Sequence, residues 1–334
     1  MGFLLTDEQR DFGRSLDAML AAADTPAVIR ARAAGDDAPG RALWERLAEA
    51  GVFALAVPEA YEGVGPLPVE TAVAFEQLGR HAVPGPLAET VAAAALLTAL
   101  AEAGAEAPAK RFLPELATGR TVATLCVPHC AAYAPDADAA DVILVVSQDR
   151  LLLAPGHEEV RESVDPARRL ARPVPGGEVL AAGPAVVEAA AQARRWAALA
   201  TAAQCLGLGR ALLDRTVAYT KQRTQFGVPV GSFQAVKHRL ADVLIGLEFA
   251  RPLLHGAALT MTDADVAAAK ATAGEAGYAA ARAALQLHGA IGYTEELDLS
   301  LWLRKARPLR DAWGTPAECR AAVLDAQVLD AQDG

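Results

Sequence analysis

Three short runs hold the chain's best candidates for chemistry: Arg223-Thr-Gln-Phe-Gly227, Ser232-Phe-Gln234 and Gln286-Leu-His-Gly-Ala-Ile-Gly292. Each falls at the end of a long helical stretch, and together they gather the donors that phosphate recognition needs. Arg223 carries a planar fork able to grip two phosphate oxygens at once. Gln225 and Gln286 offer amides, Phe226 an apolar ring, and Gly227 a backbone that turns closely beside a ligand. Gly289 and Ala290 add backbone groups next to Gln286. Taken singly, each run fits equally a solvated arginine or a glycine ending a helix. Two carboxylates, Asp311 and Glu318, bracket Trp313-Gly-Thr315. A carboxylate within reach of a reacting carbon can serve as general base. The same two also suit a surface or helix-start role beside Arg310 and Arg320.

The elements that position these residues are mostly helical. The 334 residues allow two or three domains, and 53% are hydrophobic, with alanine abundant, which favours helix. Thr6-Asp-Glu-Gln9 reads as a capping box opening a helix to about Ala23. A second helix spans Pro39 to Ala50 and stops at Gly51. Val57 to Gly65 is a loop, and helices follow at 67–80 and 86–104. Periodicity then changes: 122–127, 142–146 and 150–153 read as strands, with 160–164 and 170–174 as two more. Helix returns from Pro184 to about Arg223, over 232–260 with Pro252 inside, over 263–288, over about 295–306, and again after Pro316. The expected organisation is an N-terminal α-helical domain over 1–118, a short β domain over 119–182 and a C-terminal four-helix bundle over 183–334.

Net charge is −10, which argues against nucleic acid as a partner. No uninterrupted apolar run approaches the ~20 residues of a bilayer span, and the first residues lack the basic start of a signal peptide. A cytoplasmic protein without a membrane partner is expected. Cys126 and Cys130 flank His129, which raises a metal, but four cysteines without a CxxC pair fit reduced, buried thiols and no metal.

The order of domains and the motifs together resemble the acyl-CoA dehydrogenase family. In the N-terminal part the resemblance rests on Leu5-Thr-Asp-Glu-Gln9, Trp44 with Leu47-Ala-Glu49 and Gly51-Val, Val57-Pro-Glu59, and Glu76-Gln-Leu-Gly-Arg80. In the bundle it rests on Arg223-Thr-Gln-Phe-Gly227, Phe233-Gln234, Lys237-His238, Ala241-Asp242, Gln286-Leu-His-Gly289 and Gly292-Tyr-Thr. It covers nearly the whole chain except the β domain. The resemblance implies FAD bound at Arg223, Gln225, Phe226, Gly227, Gln286, Gly289 and Ala290, reaching a flavin seated mainly in a neighbouring subunit. It also implies an acyl-CoA substrate, with electron-transfer flavoprotein as a candidate acceptor.

The sequence departs from the family pattern at three places. The usual catalytic glutamate, directly before Gly-Thr, corresponds to Trp313; the alternative base position falls near Ala197, where nothing is acidic. The Thr-Glu-Pro-Gly-x-Gly-Ser-Asp-like segment corresponds to Leu125-Cys-Val-Pro-His-Cys-Ala-Ala-Tyr-Ala-Pro135, without its glycines and hydroxyls. With Gly79-Arg-His-Ala-Val-Pro-Gly-Pro-Leu-Ala-Glu89, these losses resemble the smaller subunit of α2β2 acyl-CoA dehydrogenases of actinobacterial steroid side-chain degradation. The expected role is completion of a catalytic partner's FAD site across the interface. Two other readings stay open: a self-sufficient homomeric enzyme using Asp311 or another carboxylate, and a flavin-free scaffold.

Overall fold

The computed structural model describes residues 4–127 and 132–333, with side chains at all of these except 327 and 329–333. Eleven helices and eight strands are present among them. In chain order they are α1 Asp7–Ala21, α2 Thr25–Ala33, α3 Ala38–Glu49, α4 Pro68–Arg80, α5 Leu87–Glu102, α6 Glu106–Ala117, β1 Ala123–Cys126, β2 Ala134–Pro135, β3 Val142–Ser147, β4 Arg150–Leu153, β5 Leu170–Ala171, β6 Glu178–Ala182, α7 Pro184–Gln222, β7 Thr224–Gln225, β8 Val228–Pro229, α8 Gln234–Thr260, α9 Asp263–His288, α10 Leu299–Asp311 and α11 Pro316–Asp333. The protein is mainly helical with a small sheet.

Among the described residues, those within Met1–Pro26, Ala72–Val83 and Thr201–Gly334 form one compact unit, and those within Ala27–Thr71 and Pro84–Ala200 form the other. The second unit is built on α5, whose residues from Leu87 to Leu100 are buried at all but one position, against α6 and β1. Thr90 donates its hydroxyl proton to Ala123 O at 2.7 Å, tying α5 to β1. The sheet runs β1-β3-β4-β6, with β1 parallel to β3 and the other pairs antiparallel. The buried Arg32 guanidinium meets Asp136 at 2.8 Å and Asp138 at 3.3 Å, so its charge is paired where water cannot reach it.

In the first unit α9 is the hub, packing against α8, α10 and α11. Its crossing with α7 is close: a Cβ added at Gly277 would sit 2.6 Å from Cys205 O. At the α4–α7 crossing, Gly207 faces Glu76 O and Gly79 faces Gln204 O at 1.8 and 2.1 Å by the same measure, so backbone meets backbone. Trp302 donates its indole N–H to Arg80 O at 2.8 Å. The Thr6 capping box is formed with Gln9 as the sequence implies.

Three expectations need correction. The run 160–164 is not a strand: Arg161 bridges Leu170 and nothing more pairs, because the segment lies on the surface, with Val164 67% exposed, and runs into Asp165-Pro166. In 170–174 the strand ends at Ala171; beyond it pairing thins to a single bridge of Pro173 with His157, flanked by Glu158 N–H to Arg172 O and Val174 N–H to Gly156 O, because Pro173 has no N–H to give to a ladder. The helix expected over 295–306 starts at Leu299 and reaches Asp311, with Pro308 inside it.

Candidate functional site

Arg223 stands where α7 ends and a two-residue hairpin, β7 with β8, begins. Its N–H reaches back to Tyr219 O at 2.9 Å, and its carbonyl accepts from Val230 N–H at 2.8 Å, which closes the loop. At the tip, Phe226 and Gly227 have φ of 55° and 81°. Two consecutive positive φ values are what a tight type I′ hairpin requires. Glycine adopts them freely, whereas a phenylalanine there is uncommon. The turn turns the Phe226 ring outward, where it is 93% exposed. It meets the edge of Phe233, with ring centroids 6.4 Å apart. Arg223 is exposed and makes no ion pair among the described residues. Gln225 turns its amide to its neighbour's carbonyl, Nε2 donating to Thr224 O at 2.8 Å.

The second motif ends α9. His288 is buried and stacks on Tyr219, with centroids 4.1 Å apart and planes 21° from parallel. The Tyr219 hydroxyl donates to His288 O at 3.3 Å, and His288 Nδ1 lies 2.8 Å from Ala284 O, so it carries the proton. Burial pushes the imidazole below its ordinary range, against the opposing bond to Ala284. Since Tyr219 lies one turn before Arg223, this stack brings the two motif corners together. Gln286, Gly289 and Ala290 are exposed there. Gly289 adopts φ 64° and ψ −140°, a region that essentially only glycine enters. Its N–H is engaged with Gln286 O.

The Trp313 turn is built differently. Trp313 and Gly314 both have positive φ, 56° and 125°, and the turn is held from within by a residue the sequence reading missed. Lys270 of α9, 0% exposed, donates to Arg310 O at 2.5 Å and Gly314 O at 3.0 Å. A single lysine inside the alanine-rich run Val266-Ala-Ala-Ala-Lys-Ala-Thr-Ala273 was the available signal. The neighbouring carboxylates are otherwise occupied. Asp311 lies 3.6 Å from Arg310 and 4.0 Å from Arg307. Glu318 accepts from the Thr315 N–H and hydroxyl, both at 2.8 Å, and Thr315 Oγ1 accepts from Glu318 N–H. This is a capping box for α11, and the Thr315 N–H is the main reason the Glu318 carboxyl is held below its usual range. Ala197, near which the resemblance puts the alternative base position, is fully buried in α7. Arg304 pairs with Glu295.

No group of residues suited to a metal is found among the described residues; the His129 and Cys130 part of the metal question, and the middle of the departing 125–135 segment, lie outside them. Two helices, α7 and α8, are long and apolar enough to cross a bilayer by composition. The apolar window of α7 is 94% buried within the fold.

Comparison with known proteins agrees along the chain. Residues 6–120 match the acyl-CoA dehydrogenase N-terminal domain, and residues 185–326 the acyl-CoA dehydrogenase C-terminal domain. Acyl-CoA dehydrogenase IpdE2 of Mycobacterium tuberculosis is 34% identical over 315 residues, covering 93% of this chain and 95% of the relative. The solved Tcur3481-Tcur3483 steroid ACAD variant superposes with a TM-score of 0.83 at 26% identity, over 98% of this chain and 99% of that one. The ChsE4-ChsE5 complex from Mycobacterium tuberculosis shares the fold, with a TM-score of 0.82 at 23% identity, over 98% and 99%. With matched N- and C-terminal domains and a relative alike over nearly its full length, the chain belongs to the acyl-CoA dehydrogenase family.

Proposed function

We propose that this chain is the flavin-completing subunit of a heteromeric acyl-CoA dehydrogenase acting on a steroid side-chain CoA thioester, in the cytoplasm. The α,β-dehydrogenation of an acyl-CoA needs a carboxylate positioned to take the α proton. The flavin, when bound, is the hydride acceptor. The carrying observation is the corner at Arg223 and Phe226: a guanidinium with no ion pair among the described residues, three residues before an aromatic ring 93% exposed. A large apolar surface left open on a folded chain marks a contact to be made elsewhere. The residues fit a nucleotide diphosphate: Arg223 offers a bidentate fork, and no atom lies within 4 Å of a Cβ added at Gly227 or Gly289, so a ligand could approach the backbone.

Other observations support the same reading. Neither base position that the resemblance implies, at Trp313 and near Ala197, carries a carboxylate, and Asp311 and Glu318 serve an arginine pair and a helix cap. Along α8, Ile245, Phe249 and Leu253 recur four residues apart and are 53%, 70% and 44% exposed. That stripe is suited to the catalytic subunit, since spacing of four keeps an apolar face on one side of a helix. The solved relative alike at 26% bears a two-protein name.

The test is Arg223→Ala in the flavin-loaded assembly that the chain forms in its native cell. The affinity of the assembly for FAD should fall by about 10- to 100-fold, the worth of a charge-assisted pair, with subunit composition unchanged. Full flavin loading in the variant would mean that the corner holds no flavin.

A further inference from the structure

Given the partner-flavin reading, we propose that Lys237 is a second phosphate-binding group of the corner, taking one phosphate of the flavin nucleotide while Arg223 takes the other. From Arg215 to Ala241 the chain carries no carboxylate, within a protein of net charge −10. Lys221, Arg223, Lys237 and Arg239 are all exposed in that span, and none makes an ion pair among the described residues. The contrast with the other arginine-rich surface is direct. A cleft of about 390 Å³ in the same unit is lined by Arg10, Arg80, Arg210 and Arg251 among others. Each of those four has a carboxylate, Asp7 at 2.6, Asp214 at 3.0, Glu248 at 2.7 and Glu76 at 3.2 Å. Like charges gathered without counter-charge repel one another, and an anion relieves that repulsion.

Geometry singles out Lys237 within the cluster. It follows Phe233 by four residues on α8, and its N–H bonds to Phe233 O at 3.1 Å. Residues four apart on a helix lie on one face with Cβ atoms about 5–6 Å apart. Phe233 in turn meets the Phe226 ring at the hairpin tip. The turn before α8 is tied to α7: a Cβ added at Gly231 would lie 3.0 Å from Thr220 O. Lys237 therefore stands on the face that carries Phe233 toward Phe226 and Arg223. Arg239, two residues on, lies about 200° round the helix. A diphosphate brings two charges, and the Gly289 N–H that the sequence assigned to it is already bonded to Gln286 O. A second cation fills that need.

The experiment uses the flavin-loaded assembly isolated from the native cell through this chain. The flavin is stripped and FAD is titrated back, followed by fluorescence quenching at several salt concentrations. Lys237→Gln should weaken FAD by about 10- to 100-fold and flatten the salt dependence, since one screened charge pair is lost. Lys237→Arg should restore most of the affinity, and Arg239→Gln should leave it unchanged. Equal loss in Lys237→Gln and Arg239→Gln would reduce the effect to general charge and overturn the assignment. Unchanged affinity in Lys237→Gln, with Arg223→Ala impaired, would overturn it while leaving the partner-flavin reading intact. An assembly without flavin, or an Arg223→Ala variant that binds normally, would remove both.

Discussion

Lys270→Met probes the turn that carries Trp313. The substitution keeps an unbranched, apolar stem of similar size in the fully buried position and removes only the ammonium. Two hydrogen bonds from a charged donor are lost, to Arg310 O and Gly314 O. Such bonds contribute about 1.5–3 kcal/mol each. Both acceptor residues are only partly buried, so water can meet their carbonyls in the variant and the low end applies. The expected loss is about 3 kcal/mol, or roughly 4 °C in melting temperature for a chain of 334 residues. It should be local as well as global. Hydrogen exchange read by mass spectrometry should speed up in peptides covering Asp311 to Thr315, ahead of those covering α5. A loss below about 1 kcal/mol, or exchange unchanged at the turn, would refute the view that Lys270 holds it.

Three further outcomes follow from the same geometry. Trp313→Glu in the chain expressed alone should give neither bound flavin nor enoyl-CoA, because on the half-site reading the isoalloxazine pocket belongs to the partner; a yellow, active product would count against that reading. His288 is pushed below its ordinary range by burial, so between its folded value and about 6.5 the unfolded chain binds a proton that the folded chain does not. Stability should therefore fall as pH drops below about 6.5 and be fully present above it. Urea midpoints at several pH values should show this slope, and His288→Gln should reduce it. Arg223→Ala should weaken FAD in the assembly by about 10- to 100-fold without dissociating it, as measured by FAD titration and native mass.

Much of the architecture was legible because it depends on local signals. The Thr6 capping box, the lengths of α7, α8 and α9, and strands β1, β3 and β4 follow from caps and periodicity that neighbours reinforce. Helices α2 and α6 were missed because proline at Pro26, Pro108 and Pro114 reads as punctuation, yet all three are accommodated within helix. The motif corners were legible as residue types, but their meeting was not. It depends on Tyr219 of α7 stacking on His288 of α9, a contact across 69 residues of chain. Glu318 carried its own explanation in Thr315-Pro-Ala-Glu318, the capping signature that marks it as structural. Lys270 was not legible, because a buried ammonium is rare and its acceptors belong to the end of α10 and the turn beyond it.

The most direct test of the central claim is the flavin content and mass of the chain expressed alone and with its catalytic partner. A flavin-completing subunit gives a colourless chain alone, and a yellow assembly of two kinds of subunit holding fewer flavins than subunits. A yellow homomer of this chain that oxidises an acyl-CoA would contradict it.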